Sequence, residues 1–403
     1  MLTHRALLYT GTAARQIVHL DENDVFLSFL PLSHIIERVG GYYLPLSIGA
    51  LIVYSEGPFA VANELPVVQP TIFLCVPRLY ESAQEKLQDY VAKLPKGHRQ
   101  LFVWAVNIGL ACAQSRHEKS GRGLIRGVLQ AVADRLVLRK VRQKVAGNRL
   151  RFFVSGGAPL NPTTGMFFEA LGLPILEGYG LTELPVISLN RPGEAEWGTV
   201  GPPLPGIEVK IAEDGEILAR GPSVMQGYFG KPEATAEAID SEGWLHTGDI
   251  GEVTADGKLR ITDRKKDIIV LANGKNVAPQ PIEARLKQSP FIQEAVLIGD
   301  RQSGIVALVV PAFDRLRDWA QQNALPAADT EELLKRTETR ILIKEEIDRL
   351  SEHLADFERI KRFALLSEPF SIETGELTPT LKVKRRVVRE KYAALIEQMA
   401  RSV

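Results

Sequence analysis

Short apolar runs recur between helical stretches through the first 180 or so residues of this 403-residue chain. They are DVFLSFLPLSH (24–34), ALIVY (50–54), TIFLCV (71–76), RFFVSGGAPL (151–160) and the apolar segment MFFEALGLPILE (166–177). A strand buried on both faces reads as a continuous apolar run, and parallel strands need a crossover connection, usually a helix. The pattern therefore predicts an α/β fold with a parallel sheet and crossover helices. Apolar residues at helical spacing open the chain, with Thr3 as a candidate cap, and a long helical pattern runs from 82 to 144. The longest apolar run, YYLPLSIGALIVY (42–54), has 13 residues and includes Pro45, Ser47 and Gly49. A membrane-spanning helix needs roughly 20 residues, so this run reads as a buried strand-turn-strand passage.

Beyond residue 190 the pattern changes. The stretch 196–230 is dense in Gly and Pro, and IEVKIA and GEILARG read as paired strands joined by a turn at Glu213, Asp214 and Gly215. Later come IEARLKQ, the apolar EAVLIG and IVALVVPAF, then a charged helix pair over 331–362. The expected division is a large domain of mixed and parallel sheets over 1–264, with a β-rich subdomain at about 190–263. A small, mobile α+β domain follows over 265–403.

Lys+Arg and Asp+Glu are equal at 49 each, so no global charge steers the chain toward nucleic acid. Cys75 and Cys112 are its only cysteines and have no metal or redox spacing; they read as small buried hydrophobes in a reducing compartment. No secretory signal opens the chain, and the expected location is cytoplasmic. One stretch, 125–151, is apolar on one side and carries Arg135, Arg139, Lys140, Arg142 and Lys144 on the other. It reads either as a surface resting on anionic lipid, a peripheral membrane contact, or as a solvated helix packed on its domain.

Several residues could carry chemistry. In EGYGLTE (177–183), Gly178 and Gly180 allow close backbone approach, Tyr179 offers a flat face, Thr182 a hydroxyl and Glu183 a hard oxygen ligand. Nucleotide with a divalent metal needs that set; a surface turn is the alternative. His34 ends an apolar run, where ligands bind in open α/β sheets, or is a histidine satisfied locally. Asp249 in WLHTGD can hold a ribose diol, and the fork of Arg264 suits sugar or phosphate oxygens. A lysine in LTPTLKVKR (377–385) is a movable point charge or part of a solvated face.

PLSHIIER (31–38), VPRLYE (76–81), SGGAPL (155–160), EGYGLTE, GWLHTGDIG (243–251), DRKKDIIVLANGKNVAP (263–279) and LTPTLKVKR stand in the order found in the acyl-adenylating, or AMP-binding, superfamily. Nearly the whole chain resembles that superfamily, and PLSHIIER, VPRLYE and the block from GWLHTGDIG to DRKKD most resemble long-chain fatty acyl-CoA synthetases. The resemblance implies a long-chain fatty acid–CoA ligase. ATP and a fatty acid would give acyl-AMP and pyrophosphate, and CoA would then displace AMP. It assigns Tyr179 to adenine, Gly156 and Gly157 to the adenine pocket, Thr182 to phosphate and Glu183 to Mg²⁺. Asp249 would hold the ribose hydroxyls with Arg264 beside it, and His34 would lie near the acyl carboxylate. Lys382 matches the adenylation lysine, although Leu381 stands where the family commonly has Gly, and Lys384 is a lesser candidate. Lys266 matches the hinge of the small domain, and Gly274 would face the pantetheine tunnel.

The family's Gly/Ser/Thr-rich phosphate loop directly precedes the segment matching MLTHRAL, so the resemblance implies an N-terminally truncated large domain. Without the loop, weakened adenylation and a need for an N-terminal partner chain are expected. The alternatives to a fatty-acid ligase are an inactive or split-enzyme remnant that only binds nucleotide or acyl ligand, and a ligase for aryl or other acyl groups.

Overall fold

The computed structural model describes residues 1–117, 124–325, 329–378 and 382–400. Two units emerge: Met1–Thr247 with Gly251–Ile261, and Gly248–Ile250 with Thr262–Val403.

The predicted parallel sheet forms in the first unit. Its strands are β1 (Val25–Ser28), β2 (Leu51–Tyr54), β3 (Ile72–Cys75), β4 (Phe152–Ser155), β5 (Ile175–Tyr179) and β6 (Ser188–Leu189), in the order β2-β1-β3-β4-β5-β6. The pairs from β2 through β5 are parallel, and only β6 runs antiparallel to its neighbour. Alternate residues of β1, β3, β4 and β5 feed two separate cores, while edge strand β2 leaves Leu51 and Tyr54 exposed. Phe26, Ile72, Leu74, Phe152 and Leu176 enter one. Leu27, Phe73, Cys75, Phe153 and Ile175 enter the other. Burial on both faces is what parallel pairing requires, and it explains why these runs are apolar without alternation.

Helices α1 (His4–Ile17), α2 (Leu44–Ile48), α3 (Val61–Val68), α4 (Pro77–Ala92), α5 (Lys96–His117), α6 (Leu124–Ala133), α7 (Arg139–Ala146) and α8 (Pro162–Ala170) supply the crossovers and covering layers. Thr3 caps α1 as expected, accepting from the Ala6 N–H at 3.0 Å. The stretch 42–54 is corrected: a seven-residue π-helix, Glu37–Tyr43, runs into α2, and only Leu51–Tyr54 is strand. Pro45 sits in the first turn of α2 and Gly49 ends it with φ 75°, signals of a short helix rather than of two strands. Pro77 opens α4.

A second sheet, β10-β9-β8-β7, is built from β7 (Glu208–Ile211), β8 (Glu216–Arg220), β9 (Leu245–Val253) and β10 (Leu259–Arg264). The β7–β8 hairpin is antiparallel as predicted, with Ile211 opposite Ile217. Helix α9 (Pro232–Ala238) precedes β9. Both cysteines are buried and free.

The second unit holds a small hairpin, β11 (Ile269–Val270) with β12 (Asn276–Val277), and a three-stranded sheet of β13 (Ile292–Ile298), β14 (Ile305–Pro311) and β15 (Ile360–Leu365). Strand β14 is buried along its whole length, antiparallel to β13 and parallel to β15. Helices α10 (Pro279–Leu286), α11 (Phe313–Gln322), α12 (Thr330–Lys335), α13 (Thr337–Leu350), α14 (Arg385–Lys391) and α15 (Ala393–Ala400) complete the unit. One face of the sheet packs on α10 and α13 and the other on α14 and α15. The charged helix pair therefore ends at Leu350, and 360–362 belong to β15.

Close packing of α5 on α8 depends on Gly109, where an added Cβ would lie 2.0 Å from the Ala170 carbonyl oxygen. Alanine in mid-helix ordinarily stabilises by up to ~1 kcal/mol over glycine. Here Gly109→Ala should instead destabilise by about 1–3 kcal/mol, read as a lower urea midpoint. A raised midpoint would show that the two helices do not meet at this residue.

Candidate functional site

Three of the quoted motifs converge at the carboxyl ends of the parallel strands. After β1 the chain turns at Pro31, whose carbonyl accepts the His34 N–H at 2.8 Å, and His34 then begins the helical passage through Arg38. The Nδ1 of His34 accepts the Ile36 N–H at 3.3 Å, and the ring is half-buried. Ile36 reaches across to the segment after β4, its Cδ1 lying 3.3 Å from ideal Cβ positions on both Gly156 and Gly157. Gly157 has φ 83°, a conformation that a side chain would strain. The Gly156 Cβ position is 3.5 Å from the Gly178 carbonyl oxygen, which brings β5 to the same place. Thus the segments that carry His34, Gly156, Gly157 and Tyr179 meet through Ile36 and Gly178.

Tyr179 is the last residue of β5 and is 8% exposed, its ring packed in the core with little surface left open. The chain then folds tightly. Leu181 N–H donates to the Leu184 carbonyl at 2.9 Å, and the Ile187 N–H donates to the Tyr179 carbonyl at 2.7 Å. Thr182 is exposed and Glu183 half-buried on this turn. One Glu183 oxygen, Oε1, accepts the Tyr228 hydroxyl at 2.7 Å. That bond pushes the Tyr228 phenol up to about 12, so the hydroxyl keeps its proton. No group of three or more His, Cys, Asp or Glu side chains that could hold a metal occurs among the described residues. A single protein carboxylate is nonetheless a suitable donor for Mg²⁺ that keeps waters and substrate phosphates as its other ligands, and Glu183 fits that limited role.

Two further carboxyls lie here that carried no assignment in the sequence. Glu37, inside PLSHIIER, is 1% exposed; burial pushes it up to about 7, against a hydrogen bond from Ser28. Its Oε1 is buried without a hydrogen-bond partner and lies against Gly41 in the π-helix, an element often found at functional sites. Glu177, the first residue of EGYGLTE, is also pushed up to about 7 by burial, although it accepts the N–H groups of Leu160 and Gly198. The signal for Glu177 is an acidic residue closing an apolar run at the end of a strand; Glu37, at the start of the π-helix, carries no such mark.

In the second unit, Asp249 and Arg264 form an ion pair, Oδ1 to Nε 3.0 Å, with Asp249 buried and Arg264 partly exposed. Lys382 is near enough to feel both. Burial first, then Arg264, lowers its pKa, while Asp249 opposes the shift. Its backbone is tied to Thr378, which donates N–H to the Lys382 carbonyl at 2.8 Å and accepts the Lys382 N–H on its hydroxyl at 3.0 Å. Lys384 is exposed, so Lys382 is the lysine that meets the pair. Residues 379–381 of LTPTLKVKR lie outside the described residues.

Neighbouring Asp263 accepts the N–H groups of Arg264 at 2.6 Å and Gln280 at 3.1 Å, and burial raises it to about 6. Arg385 joins Asp267 at 3.8 Å and bonds Glu283, so the DRKKD block, α10 and α14 share one network. Lys266 is exposed in a 3₁₀ turn, Lys265–Asp267, and Gly274 is exposed in the turn between β11 and β12. Neither joins the Asp249–Arg264–Lys382 group.

Residues 1–229 match the AMP-binding enzyme family, and residues 266–403 match its C-terminal domain, described as AMP-binding enzyme C-terminal domain. The fadD11 protein of Mycobacterium tuberculosis is 38% identical over 403 residues, covering 99% of this chain and 70% of that protein. The long-chain-fatty-acid–CoA ligase FadD15 of the same species is 37% identical over 392 residues, covering 96% of this chain and 64% of its own length. Among solved structures, ATP-bound MatB from Rhodopseudomonas palustris superposes with a TM-score of 0.66 at 22% identity, over 98% of this chain and 65% of that one. The fold is shared; this chain spans about two thirds of the length of these proteins.

The two neutral carboxyls make stability depend on pH in a defined direction. Unfolded, Glu37 and Glu177 titrate near 4.5; folded, they keep their protons to about 7. Between those values the folded state binds more protons, so stability falls as pH rises, by about 3 kcal/mol for each group. Melting temperature should drop between about pH 5 and pH 8, and Glu37→Gln should make the drop shallower. Equal slopes in parent and variant would show that Glu37 is ionised in the folded chain.

Proposed function

The chain belongs to the AMP-binding enzyme family, and from that premise we propose that it activates a long-chain fatty acid with ATP and transfers the acyl group to CoA. The observation that carries the reading is the meeting of Asp249, Arg264 and Lys382, residues far apart in the chain, in one partly buried charged group. In the first step a carboxylate oxygen attacks the α-phosphorus of ATP, and pyrophosphate leaves. In the second the CoA sulfur attacks the acyl carbonyl carbon, AMP leaves and the thiol proton is lost to solvent or base.

The first step brings two anions together, so positioned positive charge decides its rate. Lys382 supplies that charge to the carboxylate and phosphate. Partial desolvation strengthens its field at short range. Asp249 accepts from the ribose hydroxyls, and Arg264 holds the Asp249 carboxylate while its remaining donors face sugar or phosphate oxygens. Tyr179, Gly156 and Gly157 receive adenine, Thr182 bonds phosphate, and His34 sits beside the acyl carboxylate. Glu183 would hold Mg²⁺, which when bound neutralises charge on the phosphates. Lys266 serves as hinge residue and Gly274 lies beside the CoA arm in the second step.

The name of FadD15, and the resemblance of PLSHIIER and VPRLYE to long-chain enzymes, favour a long fatty acyl substrate over an aryl one. Among the described residues no helix is long and apolar enough to cross a membrane. The helical passage over α6 and α7 still leaves Val128, Val132 and Leu136 exposed at four-residue steps, with Arg135, Arg139 and Lys140 exposed beside them. This face suits peripheral contact with an anionic membrane, from which such a substrate would be drawn.

Lys382→Ala should lower fatty-acid-dependent ATP–pyrophosphate exchange by about 10²–10³-fold. Thioester formation from supplied acyl-AMP and CoA should change far less. Equal loss in both half-reactions would remove Lys382 from adenylation, and aromatic acids outcompeting palmitate would overturn the fatty-acyl reading. Replacing Arg135, Arg139 and Lys140 together by Gln should abolish sedimentation with phosphatidylglycerol vesicles. Retained binding would place any membrane contact elsewhere.

A further inference from the structure

The loop over 223–230 is fastened to Glu183 in two ways. The Met225 N–H donates to the Glu183 carbonyl at 2.8 Å, and three residues later the Tyr228 hydroxyl donates to Glu183 Oε1 at 2.7 Å. The loop is itself braced. The Tyr228 N–H donates to Thr235 Oγ1 at 2.9 Å, and that hydroxyl donates to the Lys231 carbonyl at 2.9 Å. The Thr235 side chain also fills the space beside Gly227, with Cγ2 2.6 Å from an ideal Cβ position there, and Ser223 and Met225 are buried. The phenol oxygen is therefore held by a backbone with little freedom, and a phenol has no torsion that moves its oxygen off the ring axis.

We propose that Tyr228 is a positioning residue that fixes the Glu183 carboxylate, occupying Oε1 so that Oε2 is presented to a divalent cation carried by the nucleotide. The inference rests on the adenylating reading of the same site. An ionised carboxylate on a surface turn samples several rotamers, and a cation bound through one protein oxygen gains only if that oxygen is already oriented. A hydroxyl donor serves better here than Arg or Lys. It orients the carboxylate through a short charge-assisted bond without cancelling the negative charge that the cation needs.

Tyr228→Phe keeps the ring and deletes the donor. Mn²⁺ binding to the full chain with ATP present, followed by the electron spin resonance of free Mn²⁺, should weaken by about tenfold. AMP affinity without metal, measured by calorimetry, should be unchanged. In exchange assays the Mg²⁺ concentration for half-maximal rate should rise more than kcat falls. Glu183→Gln should remove the Mn²⁺ difference between Tyr228 and Phe at this position. Unchanged Mn²⁺ binding in Tyr228→Phe overturns the proposal. So does a parallel loss of AMP and Mn²⁺ binding with a lowered melting temperature, since that marks a loop anchor only. If the parent chain binds neither AMP nor Mn²⁺–ATP, the adenylating reading itself fails, which separates the two.

Discussion

Burial of the parallel strands on both faces is the constraint from which the first unit follows. Backbone hydrogen bonds along β1, β3, β4 and β5 are satisfied within the sheet, and their side chains enter apolar cores above and below. Buried polar groups sit at the strand termini, with Asp24 and Thr71 just before β1 and β3. Ser28, Ser155 and Glu177 stand at or near the final positions of β1, β4 and β5, and Glu37 folds back over the first of them. The carboxyl edge of the sheet is thus a place where polar groups can be mounted without breaking the core, and the ends of β1, β4 and β5 with the loops after them carry His34, Gly156, Gly157 and Tyr179.

The second unit solves a different electrostatic problem. Asp249 is buried, which is costly for a carboxylate unless it is paired, and Arg264 pairs it while keeping part of its guanidinium in solvent. Lys382 then meets a pair that is nearly neutral overall. Its charge is not quenched, because Arg264 offsets the pull of Asp249, and burial further lowers its hold on the proton. The cost of keeping such a lysine charged would be offset by an anionic ligand, which is what the proposed role of Lys382 in adenylation requires.

Much of this could be read from residue order. Strands β1 to β4 were each visible as an apolar run, Thr3 announced α1, and Glu213, Asp214 and Gly215 marked the β7–β8 turn, whereas β6 left no such mark. The misreadings share a cause. The short helix within residues 42–50 buries Leu44 and Pro45 and leaves Leu46 and Ser47 exposed, and a run of that length carries no period that separates helix from strand. Strand β15 looked like the end of a helix because it is charged at its exposed positions, and only its parallel pairing with β14 reveals it. Tyr228 was invisible for a related reason: its partner is 45 residues away, and MQGYFG has no local pattern that names it.

Glu177 and Glu183, six residues apart, show how far the fold decides what a carboxyl does. Glu177 lies inside β5, receives backbone N–H groups, and is held neutral by burial up to about 7. Glu183 lies past the strand, half-buried, with a phenol on one oxygen. A neutral acid is a poor ligand for a hard cation, because the metal must displace the proton before it binds. An ionised carboxylate left to solvent would be a good ligand in the wrong place. Ending the strand at Tyr179 separates the two cases: the first acid is committed to the architecture of the turn, and the second lies beyond the strand, where the Tyr228 hydroxyl bonds it. The sequence EGYGLTE contains both residues, but only the point at which β5 stops tells them apart.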